Sequence, residues 1–254
     1  MRFAVVAPVK NRAWILPNYL NCLEWVAMDH QVSFHFIDDG STDDSVKLLS
    51  SWMQTHPGTL TTLEPTDEHN TSSRDARNRL ACYRRLAQLR NDLILEALAA
   101  GADWLVSIDT DVLVAPWCVS QLIGHNLPYC AALIDNTQTI TPAVACARTW
   151  PQSYYNAMTH FEGAWLPMRQ PIRNQVLEAD LTGAVYVASS AVLRSGALFA
   201  AHPAGEDVGY ALSLQCHGHT MAVDTGCHAV HCLHQRDLAQ ALDTFTALCR
   251  HGAR

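Results

Sequence analysis

The stretch Trp104-Leu105-Val106-Ser107-Ile108-Asp109-Thr110-Asp111 runs an apolar, β-branched segment straight into two carboxylates one residue apart. A run of this kind, closed abruptly by acidic residues, reads as a central parallel strand whose carboxyl end opens into a crevice. Open α/β sheets bind their ligands there. Side chains i and i+2 of an extended chain share a face, so Asp109 and Asp111 can both reach one divalent ion and the diphosphate it neutralises. The bland alternative is a turn whose aspartates cap a following helix.

Upstream of this stretch, Phe3–Pro8 predicts a strand, Trp14–Met28 a helix, and Val32–Ile37 a second strand stopping at Asp38-Asp39-Gly40-Ser41-Thr42. Strand, helix, strand implies parallel pairing. A helix over Asp44–Thr55 follows, with Thr42 or Asp43 as its cap, then a short strand over Gly58–Glu64 and a polar loop from Pro65 to Asp75. A long helix from Arg74 to Ala100 ends at Gly101. Two strand ends with adjacent acids, Asp38-Asp39 and Asp109-Asp111, therefore face one rim. Downstream, Trp117–His125 predicts a helix, Tyr129–Ile134 an extended segment, Leu181–Ala188 a strand and Ala191–Ala200 a short helix. A helix from Glu206 to His217, closing strands Thr220–Val223 and His228–Cys232, and a helix over Asp237–Arg250 complete the pattern. Asp135 to Asp180 has no clean period, and such long aperiodic segments in compact domains usually carry function.

The 254 residues, 49% of them hydrophobic, are enough for one large α/β domain. Seventeen basic against 24 acidic residues leave a net charge of −7, which disfavours nucleic acid and acidic membranes as partners. A phosphate-bearing ligand then needs a metal or a local basic patch. Nine scattered cysteines without C-x-x-C spacing suggest reduced thiols rather than a disulfide framework. No apolar run is long enough to span a bilayer, and Met1-Arg2 opens no secretory signal, so the expected location is cytoplasmic.

The ordered set Val6-Ala7-Pro8-Val9-Lys10-Asn11-Arg12, Ile37-Asp38-Asp39-Gly40-Ser41-Thr42-Asp43, Arg90-Asn91, Asp109-Thr110-Asp111 and Gly205-Glu206-Asp207 resembles nucleotide-sugar-dependent glycosyltransferases of the GT-A fold, most of all those of family 2. The resemblance implies a Rossmann-like, mixed but mainly parallel sheet flanked by helices. It also implies a single domain over residues 1–254, with a nucleotide-sugar half at 1–115 and an acceptor half at 116–254. By the same resemblance Pro8, Lys10 and Arg12 line the base pocket, and Asp39 or Asp38 bonds the base. A carboxylate accepts from the imide N–H of uracil, and guanine also suits it; a UDP-sugar is the favoured donor. Arg90 faces the nucleotide, Arg74 and Arg77 are secondary candidates for gripping the diphosphate, and Gly183 lets the donor sugar lie close to the backbone. Asp111 holds Mn²⁺ or Mg²⁺, Asp109 with Thr110 binds ribose or metal, and His231 is a third metal ligand, with His228 as its substitute.

Asp207 is the candidate general base of an inverting transfer and Glu206 orients the acceptor. Against this stands a simpler reading of both as first-turn acids at a helix N-terminus. Trp150, Tyr154, Tyr155 and Trp165 suit an acceptor platform, because flat aromatic faces stack on sugar rings. The Cys and His residues from Cys216 to His234 lack a recognisable zinc spacing. The implied activity is a hexosyl transfer to a soluble or membrane-peripheral acceptor. The alternatives are a retaining GT-A enzyme, a non-catalytic nucleotide-sugar-binding domain, or a nucleotidyltransferase. The last lacks support, since the first strand end carries no glycine-rich phosphate loop.

Overall fold

The computed structural model describes residues 1–28, 30–66, 75–135, 175–179 and 181–251. Its first half alternates β1 (Arg2–Val9), α1 (Leu16–Ala27), β2 (Gln31–Asp38), α2 (Ser45–Trp52), β3 (Gly58–Thr62), α3 (Ala76–Ala99) and β4 (Trp104–Ile108). There follow β5 (Val112–Val114), α4 (Cys118–Gly124), β6 (Tyr129–Asp135), β7 (Val176–Ala179), β8 (Val185–Ser189), α5 (Ser190–Arg194), α6 (Glu206–Cys216), β9 (Met221–His231) and α7 (Leu238–His251).

One nine-stranded sheet runs in the order β3-β2-β1-β4-β8-β6-β9-β5, with β7 also on β9. The strands β3, β2, β1 and β4 are mutually parallel, Phe3 facing Trp104 and Val32, so their carboxyl ends emerge on one rim. Beyond β4 the direction reverses, because β8 joins it antiparallel from Trp104↔Ser189 to Ile108↔Val185. The sheet is buried on both sides, and β1 shows how the sequence achieves this. Phe3, Val5, Ala7 and Val9 enter the core shared with α1, α2, α4 and α7, while Ala4 and Val6 enter the one shared with α3, α5 and α6. Uninterrupted apolar runs are what a strand covered on both faces requires. Tyr19 of α1 is fully buried and its hydroxyl donates to the Ile108 carbonyl at 2.9 Å, fixing α1 under the end of β4.

Three elements differ from their sequence expectation. The strand expected from Leu181 begins at Val185, because Ala184 is left-handed with φ 56°. The helix expected to reach Ala200 stops at Arg194, just before Gly196 turns the chain at φ 89°. The two expected closing strands are one strand, β9, with a register shift where it runs beside β6. At that shift the Asp224 carboxylate accepts from Gly226 N at 2.7 Å and Gln121 Nε2 at 2.8 Å, and it pairs with His125 Nε2 at 2.7 Å. Burial opposes ionisation of Asp224, yet the hydrogen bonds from His125 and Gln121 hold its carboxyl below the ordinary range. The strands β5 and β7 are too short to stand out in the sequence. No helix among the described residues is long and apolar enough to cross a membrane.

Candidate active site

The carboxyl ends of β1, β2 and β4 open into a cleft of about 440 Å³, lined from that rim by Pro8, Val9, Lys10, Arg12, Asp39, Asp109, Thr110 and Asp111. Cys82, Leu86, Leu89 and Arg90 of α3 form one wall, Glu206 and Asp207 of α6 a second, and His231 and Leu233 close it. Residues far apart in the chain meet here because parallel strands deliver their ends to one edge.

The loop after β1 is shaped by Asn11, which adopts φ 51° and accepts Thr42 N–H on its side-chain oxygen at 2.8 Å. Asparagine tolerates that left-handed conformation better than other residues with a Cβ. Arg12 is thereby aimed at the D-x-D segment, its Nη2 lying 2.9 Å from Asp111 Oδ2. Lys10 turns its ammonium onto the carbonyls of Asp39 and Gly40, tying the first two strand ends together. Asp43 accepts from Ser45 N at 2.9 Å at the start of α2, although the N-cap position itself is Asp44 rather than the expected Thr42 or Asp43.

Asp38 and Asp39 divide their roles. Asp38 is 1% exposed and accepts Ser41 N–H at 2.9 Å, which makes it the turn residue of this loop. Asp39 lines the cleft, and Arg85 holds its Oδ1 with Nε and Nη2, each at 3.0 Å. Arg85, which holds this cleft carboxylate, was not singled out in the sequence. Its signal was present in the spacing: it lies three residues after Cys82 and four before Leu89, on the stripe of α3 that faces the cleft.

Arg90 is buried and engages both oxygens of Asp109, at 3.0 and 3.1 Å, with Nε 3.5 Å from Glu206 Oε1. Its guanidinium also lies 5.6 Å from the Phe199 ring centroid. Burial alone would weaken its charge, but Asp109, Asp207 and Glu206 together hold it firmly protonated. Its neighbour Asn91 points elsewhere, clamping the Phe199 backbone through bonds of 2.8 and 3.0 Å.

Asp111 and His231 are adjacent, with Nε2 3.3 Å from Oδ1, because β5 sets Val112 opposite His231 and Cys232 N–H donates to the Asp111 carbonyl at 2.8 Å. Burial would raise the Asp111 carboxyl, but His231 and then Arg12 hold it well below the usual range. The converse applies to His231: burial would lower it, and Asp111 followed by Asp109 raises it above an ordinary histidine. His228 instead bonds the Thr225 carbonyl at 2.9 Å. Among the described residues no group of three or more His, Cys, Asp and Glu is arranged to hold a metal ion, in the D-x-D region or in the Cys216–His234 segment. Asp109 is turned towards Arg90, and Asp111 with His231 forms a two-donor pair of oxygen and nitrogen.

Asp207, the second residue of α6, is half-buried, and its carboxyl is pushed up to about 8. Loss of solvent is the main cause and Glu206 the next; Arg90 opposes the rise. Gly183 lies directly against it: a Cβ at that position would be 2.7 Å from Asp207 Oδ2. Trp150, Tyr154, Tyr155 and Trp165, offered as an acceptor platform, and Arg74 lie outside the described residues.

A sequence-family model described as "Glycosyltransferase family 25, N-terminal domain" matches residues 2–169. No curated protein matches the chain in sequence. Residues 1–349 of S. aureus TarS superpose with a TM-score of 0.57 at 11% identity, covering 97% of this chain and 65% of that one. The same fragment in complex with UDP-GlcNAc gives a TM-score of 0.58 at 12% identity, over 97% and 66% of the two chains. The mannosyltransferase PcManGT from Pyrobaculum calidifontis, in complex with GDP-Man and Mn²⁺, gives 0.57 at 15% identity over 100% of this chain and 65% of that one. The chain thus spans about two thirds of the length of these structures, and at such identities the likeness is one of fold, the GT-A fold.

Proposed function

The chain belongs to the family described as glycosyltransferase family 25, N-terminal domain, and on that premise we propose that it transfers a sugar from a nucleoside diphosphate donor to an acceptor hydroxyl, with the aid of a divalent ion and with inversion. The observation that carries this reading is the convergence of Asp39, Arg90, Asp109, Asp111, His231 and Asp207 on one cleft from β2, α3, the end of β4, β9 and α6. Glu206, Asp207 and His231 lie beyond the residues that the family model matches, so their roles rest on geometry.

Asp39 offers the donor base a carboxylate already fixed by Arg85, suited to the imide N–H of uracil; a UDP-sugar remains the favoured donor, and a GDP-sugar the competitor. Arg12, at the mouth of the β1 loop, is the cation best placed to meet the diphosphate. Asp111 and His231, an oxygen and a nitrogen donor side by side, would hold Mn²⁺ or Mg²⁺. When bound, such an ion neutralises charge developing on the diphosphate as it leaves, a contribution of several kcal/mol at the transition state.

Asp207 faces the same cleft from another wall. There its carboxylate takes the proton of the acceptor hydroxyl as the new bond to the anomeric carbon forms, opposite the departing diphosphate. Arg90 sits between Asp109 and Glu206 and balances the acids on both sides. Glu206 orients the acceptor. The unit is one GT-A domain, the donor drawn mainly to residues 1–115 and the acceptor to 116–254, and its expected setting is the cytoplasm.

The test is a calorimetric titration of UDP, and separately of GDP, with and without Mn²⁺. Metal-dependent binding of one nucleotide, lost in Asp111→Asn and retained in Asp207→Asn, is the expected outcome. Turnover of Asp207→Asn should fall about 10²–10⁴-fold. Nucleotide affinity indifferent to both the ion and Asp111→Asn would remove the metal from the reading, and normal turnover of Asp207→Asn would remove the base.

A further inference from the structure

The segment Thr182-Gly183-Ala184 places its glycine where the backbone does not ask for one. Gly183 is absent from the glycines with positive φ, whereas its neighbour Ala184 carries a Cβ at φ 56° in the left-handed region, where L-residues pay about 1 kcal/mol. Space is what Gly183 supplies. A Cβ there would lie 2.7, 3.1 and 3.3 Å from Oδ2, Cγ and Oδ1 of Asp207, so all three nearest atoms belong to one carboxyl group. A real Cβ does not approach an oxygen at 2.7 Å, and one of the two groups would have to move.

We propose that Gly183 is a positioning residue for Asp207, its missing side chain being the recess that seats the carboxylate facing the cleft. The assignment rests on the reading of Asp207 as the base, and it replaces the expectation that this glycine makes room for the donor sugar.

The segment is held on both sides, so it cannot simply retreat. The Ala184 carbonyl accepts Asp109 N–H at 2.8 Å, which ties it to the D-x-D turn, and the Thr182 hydroxyl pairs with the buried Tyr129 hydroxyl at 2.7 Å. Asp207 is equally constrained, because it sits in the first turn of α6. One short stretch of backbone therefore sets the distance between the donor side of the site at Asp109 and the proton acceptor at Asp207. Displacing a reacting group by about 1 Å costs roughly a hundredfold in rate.

The experiment is a double-mutant cycle read in two ways. In thermal melts Gly183→Ala should unfold roughly 2–8 °C below the parent, and in the Asp207→Ala background the same change should cost nothing, because the obstructing carboxylate is gone. In kinetics Gly183→Ala should lower kcat roughly a hundredfold with the donor KM within about twofold of the parent, and it should cause no further loss in Asp207→Asn. If Gly183→Ala does not fold alone, the Gly183→Ala/Asp207→Ala pair should. An undiminished thermal penalty in the Asp207→Ala background overturns the contact. A raised donor KM with kcat retained overturns the role and restores the sugar cradle. Normal turnover of Asp207→Asn instead overturns the base reading on which the role stands, and leaves the thermal cycle to judge the contact independently.

Discussion

Asp207 carries its proton at neutral pH because it is enclosed and sits beside Glu206. A base in that state gains activity as the pH rises: kcat/KM should climb through about 8 and level off above it. Asp207→Asn should show no such inflection. The same shift has a stability sign. The folded carboxyl binds its proton more tightly than an unfolded aspartate, whose value is about 3.9. The contribution is therefore complete below about pH 4 and declines as the pH rises towards the folded value. Asp207→Asn, neutral throughout, should melt close to the parent below about pH 4 and clearly above it at about pH 9. A parent more stable than the variant at the higher pH would show that the carboxylate is not penalised by burial. At this scale the sequence was informative about which acids reach the cleft and less so about their partners. Asp39, Asp109, Asp111 and Asp207 were legible as strand-end and helix-start acids. Arg85 on Asp39 was not, since the helical spacing that turns Arg85 towards the cleft does not say which acid it meets there.

Helices and strands set those side chains in place, and the element that does most unusual work is β9. It serves β6 on one side and both β5 and β7 on the other, and it manages this by shifting register near Asp224. The Asp224 carboxylate replaces the ladder bonds lost at the bulge by joining Gly226, Gln121 and His125. Asp224→Ala should cost about 3 kcal/mol in chemical denaturation, because three donors lose one buried acceptor. Since its folded carboxyl is depressed, that contribution is present above the unfolded value and is lost as the pH falls through the folded one. A second consequence reaches the cleft. The bulge sets the phase of the strand end that carries His231 to Asp111, so Asp224→Ala should also weaken metal-dependent nucleotide binding in the folded fraction. Stability lost without any change in nucleotide affinity would confine Asp224 to a structural role. The two strands inferred from Thr220–Val223 and His228–Cys232 were sound locally; the residues between them look like a turn, and pairing with β6 on both sides of the register shift joins the two into one strand.

The described strands form one sheet, joined through the antiparallel pairing of β4 with β8. Its first four strands and the strands beyond β4 cannot separate without exposing that seam, so calorimetry should record one cooperative unfolding transition. A fragment of residues 1–115 should fail to fold alone, and two resolved transitions would contradict the single-domain reading. Because the cleft draws walls from both sides of the seam, the preferred nucleotide at about 100 times its Kd should raise the melting temperature of the whole chain by roughly 5–10 °C. Sequence alone determined the alternation of strands and helices, the parallel first half and the acidic strand ends, because periodicity and a strand's sudden change from apolar to charged are written in neighbouring residues. Tertiary structure alone decided that β8 runs antiparallel against β4, that His231 rather than His228 meets Asp111, that Arg85 grips Asp39, and that Gly183 yields its space to Asp207. Each of these is a contact between segments brought together by packing, and no local pattern in the chain encodes which distant side chain will fill a given space.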